Sequence, residues 1–212
     1  MNTGAPDSYK IIADKCEGSF EEKKSRFLSQ LLPVGSEEEA AAFFDGVRKK
    51  YYDARHHCTA LILGPGQELK RSSDDGEPSG TAGKPMLEVL TGAGLTNVAA
   101  VVTRYFGGTL LGTGGLIRAY SSAVKDALSQ AKILTVCACF DLSVKAAYPD
   151  VGPIQYYITQ NGITLLDTEY LENVSFRLRV RTTEKDRVIK GLTELTNGKA
   201  VIRTEKEGYE AL

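Results

Sequence analysis

Apolar, largely β-branched residues run unbroken from Val98 to Val102, which predicts a buried strand ending in Arg104, Tyr105 and Phe106. Glycines follow at positions 107, 108, 112, 114 and 115. Beyond them Leu116, Ile117, Tyr120, Ala123, Val124, Ala127 and Leu128 recur at helical spacing, so an amphipathic helix is expected to begin there. Upstream, residues 1–8 read as a loose tail, and Lys10–Cys16 and Arg26–Val34 as strands joined by a charged connector, Glu17–Ser25. Ser36 before Glu37, Glu38 and Glu39 is a helix-start signature. Its apolar face runs through Ala40, Phe43, Phe44 and Val47, and Arg48-Lys49-Lys50 closes it with the charge the helix dipole favours. His56–Leu63 predicts a further strand, and Met86–Leu90 a helix with Pro85 in its first turn.

From Ile133 onward the period changes to two. Val136, Ala138, Phe140, Leu142, Val144 and Ala146 form one apolar face, and Cys137, Cys139, Asp141, Ser143 and Lys145 the opposite face, read as wet. A helix from Pro149-Asp150 to Asn161-Gly162, strands Ile163–Tyr170 and Val174–Thr182, a helix Glu184–Leu195 and a strand Ala200–Glu205 complete a βαββαβ order. The expected class is α+β in two domains, residues 1–134 and 135–212.

Charge narrows the functional classes. The 212 residues carry a net charge of −1. It is evenly spread, with 16 basic and 16 acidic residues to Leu134 and 10 and 11 from Thr135 onward. Overall basicity therefore gives no nucleic-acid signal, and any such binding must come from local patches. The beginning of the sequence lacks a secretory signature, and no apolar run approaches the length of a membrane span. Cysteines at 16, 58, 137 and 139 lack zinc-ligand spacing, so a cytoplasmic protein with reduced thiols is expected.

Two stretches carry candidate chemistry. The strand–glycine turn–helix at Arg104–Ala127 leaves the first amides of the helix without partners, with no acidic residue nearby and Arg118 in the expected first turn; such an end attracts anions. The five glycines could equally serve tight turns and close packing. The dinucleotide fingerprint is excluded because position 117 is Ile, and the nucleotide P-loop because Pro78 and Pro85 occupy its required positions around Gly83-Lys84. The second stretch, Ser73–Pro85, holds Asp74, Asp75 and Glu77, which either order a long loop by accepting backbone hydrogen bonds or hold a divalent cation. Lys84 beside the next helix start repeats the arrangement at Arg118. The expectation is two glycine-lined helix openings, each flanked by a cation. His56 and Cys58 share one strand face, but neighbours two apart run side by side rather than converging as a nucleophile and base.

Four separated motifs in order, Lys23-Lys24-Ser25-Arg26-Phe27, Ala54-Arg55-His56-His57-Cys58, Ser73–Pro85 and Arg104–Ala119, resemble the signature of the IMPACT family, in its bacterial YigZ/YvyE branch. The resemblance implies an N-terminal domain like the second domain of ribosomal protein S5. It also implies a ferredoxin-like C-terminal domain like the fifth domain of elongation factor G. Eukaryotic members act in translational control through an additional RWD domain; this sequence shows none, so the resemblance does not extend to their kinase-pathway role.

In the C-terminal hairpin Val174, Phe176, Leu178 and Val180 face inward, leaving Arg177, Arg179 and Arg181 in a row on the other face. Two readings stand level: the row lies on an open sheet face and binds RNA, or Asp167 and Glu169 on the neighbouring strand pair with it. The resulting expectation is a non-enzymatic, cytoplasmic, translation-linked regulatory factor that binds RNA or the ribosome, without cofactor, metal or membrane. Its anion contacts would be Lys84, Arg104, Gly107, Gly108, Gly114, Gly115 and Arg118 in the first domain and Arg177, Arg179 and Arg181 in the second. The rivals are a hydrolase or other phosphate-ligand enzyme using Ser73–Pro85, and a module binding a protein of the translation machinery.

Overall fold

The structure is a computed structural model describing residues 6–211. The chain divides into two compact units, Met1–Thr135 and Val136–Leu212, each with its own core. Helices and strands are mixed in both, giving an α+β protein. No helix among the described residues is long and apolar enough to cross a membrane.

In the first unit β1 (Ser8–Ile12), β2 (Cys16–Glu22), β3 (Ser25–Pro33), α1 (Glu37–Lys50), β4 (His56–Leu63), β5 (Leu69–Ser73), α2 (Gly83–Gly92), β6 (Val98–Tyr105) and α3 (Gly112–Ser129) follow in order. Of the expected tail, residues 1–5 lie outside the described residues and Ser8 already opens β1. The supposed connector Glu17–Ser25 is mostly β2, paired in antiparallel register with β3 from Cys16↔Leu31 to Glu22↔Ser25. Its glutamates sit at exposed or half-buried positions while Cys16 is buried, so pairing at a sheet edge overrides a polar composition. Only Lys23 and Lys24 remain in the turn, with φ of 48° and 63°, the conformation of a two-residue type I′ hairpin.

The sheet order is β2-β3-β6-β4-β5, with every neighbouring pair antiparallel. β6 is central and apolar on both faces. Val98, Ala100 and Val102 join Phe27, Leu31, Cys58, Ala60 and Ile62 beneath α2 and α3, whereas Ala99 packs with Ala40, Leu61 and Leu63 on the α1 side. Ser36 caps α1 by accepting from the Glu39 N–H, and the Glu39 carboxylate accepts from Gly35 N–H, one residue earlier than a capping box requires.

α3 is seated by Leu116, Ala119, Tyr120, Ala123, Val124 and Ala127. Tyr120 meets Phe27 edge-to-face with ring centroids 5.1 Å apart. At its far end the helix backbone at Ala127 approaches Gly18 of β2 so closely that a Cβ on Gly18 would collide with it, and Asp126 accepts from the Ser19 N–H at 2.8 Å.

The second unit runs β7 (Ile133–Ala146), α4 (Val151–Gln160), β8 (Thr164–Tyr170), β9 (Val174–Arg181), α5 (Lys185–Leu195) and β10 (Val201–Ala211). Its strands lie in the order β10-β7-β9-β8, all antiparallel. Ile154, Ile158, Val188 and Leu192 of the helices cover Phe140, Leu142, Val144, Phe176 and Leu178 on one face. β10 is longer than expected and continues through an irregularity between Thr204 and Glu207 to Ala211. Cys137, Cys139 and Asp141 are buried rather than wet, because β7 is a central strand. Arg179 from β9 and Glu210 from β10 close over Asp141.

Because Gly18 lets α3 sit down on β2, Gly18→Ala is expected to destabilise the first unit by about 1–3 kcal/mol through overpacking. Chemical denaturation of the full chain measures this, and Gly46→Ala, where a Cβ meets nothing within 4 Å, is the control.

Candidate functional site

The loop from Asp74 to Ala82 is ordered by its own carboxylates. Asp74 Oδ2 accepts from Gly80 N–H at 2.7 Å, and Oδ1 from Ala82 and Gly83 at 3.0 and 2.8 Å. Asp75 Oδ2 accepts from His57 N–H at 2.6 Å. Glu77 is the buried member, accepting at Oε1 from both Arg104 Nη1 and Tyr120 Oη at 2.7 Å. Each of the three carboxylates is thus engaged inside the protein, and among the described residues no group of three or more His, Cys, Asp or Glu could hold a metal ion.

Asp74 also corrects one expectation. It stands on the first amides of α2, so that helix opening is closed by an internal anion, and Lys84, exposed on the second residue of α2, flanks no vacant site. Partial burial pulls the Asp74 carboxyl up, but the amides of Gly80, Gly83 and Ala82 outweigh it and hold the group below the ordinary carboxylate range.

α3 differs. It begins at Gly112, earlier than the periodicity suggested, so Gly114 and Gly115 lie within its first turn and Arg118 in its second. Leu111 stands at the N-cap with no side-chain capping bond, and no acidic residue occupies the first turn. Its unpaired amides and positive dipole end therefore remain available. Gly107 serves packing: a Cβ there would strike the backbone of Lys24 and Ser25, and its N–H donates to Ser25 Oγ at 3.1 Å. Gly108, at φ 87°, turns the chain toward the helix.

Beside this opening lies a cleft of about 420 Å³, lined by Arg55, His56, Glu77, Pro78, Arg104, Phe106, Leu110, Leu111, Gly112, Thr113 and Leu116. Sheet register builds its floor. Arg104 pairs with Phe27 on β3 and with His56 on β4, so the three side chains share the face that α3 covers. The guanidinium of Arg104 is only 7% exposed and sits 5.5 Å from the Phe27 ring and 5.6 Å from the Phe106 ring. Nη1 donates to Glu77, whereas Nε is buried without a partner. Arg55 and Arg118 are exposed and form no ion pair among the described residues. Arg104 is therefore a buried fixture of the cleft, and Arg55 is the exposed cation that lines it, whereas Arg118, on the second turn of α3, lies outside the lining.

Arg118 stands out in the sequence by its charge, whereas Arg55, Phe106 and Thr113 share no signal there. Arg55 and Phe106 were legible only as parts of motifs, because their convergence depends on the register of β4 with β6. The His56–Cys58 pair carries no nucleophile chemistry. His56 Nδ1 lies 2.9 Å from the Asp75 carbonyl, Cys58 Sγ donates to the Asp74 carbonyl at 3.0 Å, and burial pushes the Cys58 thiol up to about 12.

In the second unit the arginine row is largely neutralised, though not by Asp167 and Glu169. Arg179 Nε and Nη2 grip the two oxygens of Asp141 at 2.8 and 3.2 Å, and Nη1 reaches Glu210 at 2.9 Å. Arg177 Nε lies 3.6 Å from Glu205. The partners come from β7 and β10, because β7 puts Asp141 directly opposite Arg179. Arg181 is exposed and has no ion pair among the described residues.

Two measurements follow. A carboxyl held below its unfolded value stabilises the fold only while ionised. The Asp74 contribution is thus complete above its unfolded value, about 3.9, and drains away as pH falls through the folded value. Asp74→Asn is expected to cost about 1–3 kcal/mol near neutrality, with the difference from wild type narrowing under acid, as read from urea denaturation across pH. Thr113→Asp, by placing an anion in the first turn of α3, is expected to stabilise by about 0.3–1 kcal/mol, which thermal denaturation at low salt would measure.

Comparison with known proteins sets this cleft in a family. Residues 23–128 match the Impact N-terminal domain and residues 144–199 a domain of unknown function, DUF1949. IMPACT family member YvyE of Bacillus subtilis is 39% identical over 202 residues, covering 95% of this chain and 93% of the relative. IMPACT family member YigZ of Escherichia coli is 38% identical over 174 residues, covering 81% and 85%. A crystal structure described as that of a hypothetical protein is similar with a TM-score of 0.61 and 35% identity, covering 95% of this chain and 98% of the other. With the motif-bearing loop, the central strand and α3 all inside the matched N-terminal segment, this chain belongs to the IMPACT family.

Proposed function

We propose that the chain is a cytoplasmic, translation-linked regulatory factor that binds RNA or the ribosome through the cleft at the start of α3. The family's link to translational control supports this reading. In it the first unit is like the second domain of ribosomal protein S5 and the second is ferredoxin-like, consistent with the β10-β7-β9-β8 strand order. The observation that carries it is the uncapped N-terminus of an 18-residue helix opening beside the unpaired cation Arg55, with the exposed Arg118 on the second turn of the same helix. Amides and guanidinium groups of this kind fix phosphate oxygens without any group that transfers protons or electrons.

The contact set is narrower than the charge pattern alone suggests. Arg55, Arg118 and the amides of Gly112, Thr113 and Gly114 make the phosphate contacts. Arg104 shapes the cleft. Lys84, Arg177 and Arg179 contribute only to the general field, and Arg181 is a free peripheral cation. An enzyme built on Asp74, Asp75 and Glu77 loses its support, since these carboxylates serve the loop and the Arg104–Tyr120 contact.

Co-sedimentation with ribosomes at graded salt tests the reading. Binding is expected to weaken as salt rises, and Arg55→Ala/Arg118→Ala to lower the salt slope by about 2, roughly 1 for each lost phosphate contact. Failure of the wild-type chain to sediment at low salt overturns the reading. Unchanged binding by the double variant removes the cleft from it. Arg104→Ala is a poor probe, because stranding the buried Glu77 carboxylate would cost about 3–5 kcal/mol of stability.

A further inference from the structure

The cleft is more than an anion site, and its apolar part says what accompanies the anion. Beside the cationic groups stand Pro78, Phe106, Leu110, Leu111 and Leu116, with Phe106 53% and Leu110 82% exposed. Two aliphatic or aromatic side chains left this open at the rim of a charged cleft are poorly matched to water and to a bare inorganic anion. They suit a ligand with an apolar, planar body.

Arg104 supplies the independent sign that something enters. Its guanidinium is more than nine-tenths buried, fronts the cleft, and holds a buried Nε without a partner. An unsatisfied buried donor is costly, and donors inside a protein ordinarily find acceptors. Glu77 takes only one nitrogen of the fork. The part of the guanidinium that lines the cleft is left to an oxygen-bearing ligand. Phe106 lies against the same guanidinium at 5.6 Å, leaving much of its surface open, as a stacking platform requires.

Resting on the RNA or ribosome reading above, we propose that this cleft takes one unpaired nucleotide. The phosphate lies on the amides of Gly112, Thr113 and Gly114 beside Arg55, and the base lies against Phe106 and Leu110. A volume of about 420 Å³ falls at the small-ligand end of protein clefts and admits a single nucleotide unit but no duplex. Base-paired RNA presents its phosphates but keeps its bases stacked, so a stacking platform discriminates in favour of single strands, loops and ends.

Titration calorimetry of the full chain decides the matter, using adenosine monophosphate, uridine monophosphate, adenosine, inorganic phosphate, a short 5′-phosphorylated single-stranded RNA and its blunt duplex. Adenosine monophosphate is expected to bind at least tenfold tighter than phosphate or adenosine, and the single strand tighter than the duplex. Phe106→Ala is expected to weaken the monophosphate by about 5- to 150-fold, the range that loss of one base–aromatic stack gives, while leaving phosphate binding unchanged. Phe106→Leu, which keeps the bulk, should fall between. Thr113→Asp should abolish binding of every phosphate-bearing ligand in a protein at least as stable as wild type. Equal affinity for phosphate and monophosphate, or an unaltered monophosphate affinity in Phe106→Ala, overturns the proposal. If ribosome sedimentation still depends on Arg55 and Arg118 in that event, the functional reading stands without the nucleotide pocket. Binding of the monophosphate but not the single strand identifies a free nucleotide as the ligand and removes RNA from the reading.

Discussion

One oxygen of one buried carboxylate ties the first unit together. Glu77 Oε1 accepts from Arg104 Nη1 on the central strand and from Tyr120 Oη on α3, while its own backbone belongs to the glycine-rich loop. Loop, strand and helix are thereby fixed at a common point. An isolated carboxylate could not be buried there, nor could Arg104; each makes the other tolerable, and the phenol fills a further lone pair. Tyr120 is held firmly in its neutral form by burial and by the neighbouring Cys58 and Glu77, so it donates rather than accepts. The placement of the α3 opening beside β6 follows from this contact.

The two helix starts in this unit show how similar sequences reach opposite electrostatic outcomes. Both α2 and α3 follow glycine-rich turns, and neither has an acidic residue in its first turn. α2 is nevertheless satisfied by Asp74, eight and nine residues before the amides it accepts from. α3 receives no equivalent. In the second unit the same principle appears in a sheet, where Asp141 and Glu210 take up the donors of Arg179. Self-neutralisation thus removes Asp74, Glu77, Asp141 and Arg179 from the charges open to a ligand, while Arg55, Arg118 and Arg181 stay outside it.

Much of the fold was legible from local pattern. β4 spans the predicted His56–Leu63, and the βαββαβ order of the second unit follows from its period-two strands and helix stops. The misses share a cause in tertiary context. β2 is polar because it lies at a sheet edge, and β5, with the sequence Leu69–Ser73, offers almost no apolar signal for the same reason. Cys137 and Cys139 alternate like surface residues but lie under the side chains of flanking strands. For the site, the glycines and Arg118 were visible. The burial of Arg104 and its convergence with Phe106 and Arg55 were not, since they arise from pairing β6 between β3 and β4.

The β2–β3 hairpin has a consequence for proteolysis. Lys23 and Lys24 form an exposed dibasic tip, the sort of sequence at which trypsin-like enzymes cut. Those enzymes grip their substrate as an extended strand, whereas both lysines here hold a left-handed backbone, with Gly107 packed against Lys24 and Ser25 from behind. Scission after either lysine therefore requires the tip to leave the Gly107 loop first. The susceptibility of this peptide bond becomes an intrinsic gauge of how often the rim of the nearby cleft loosens.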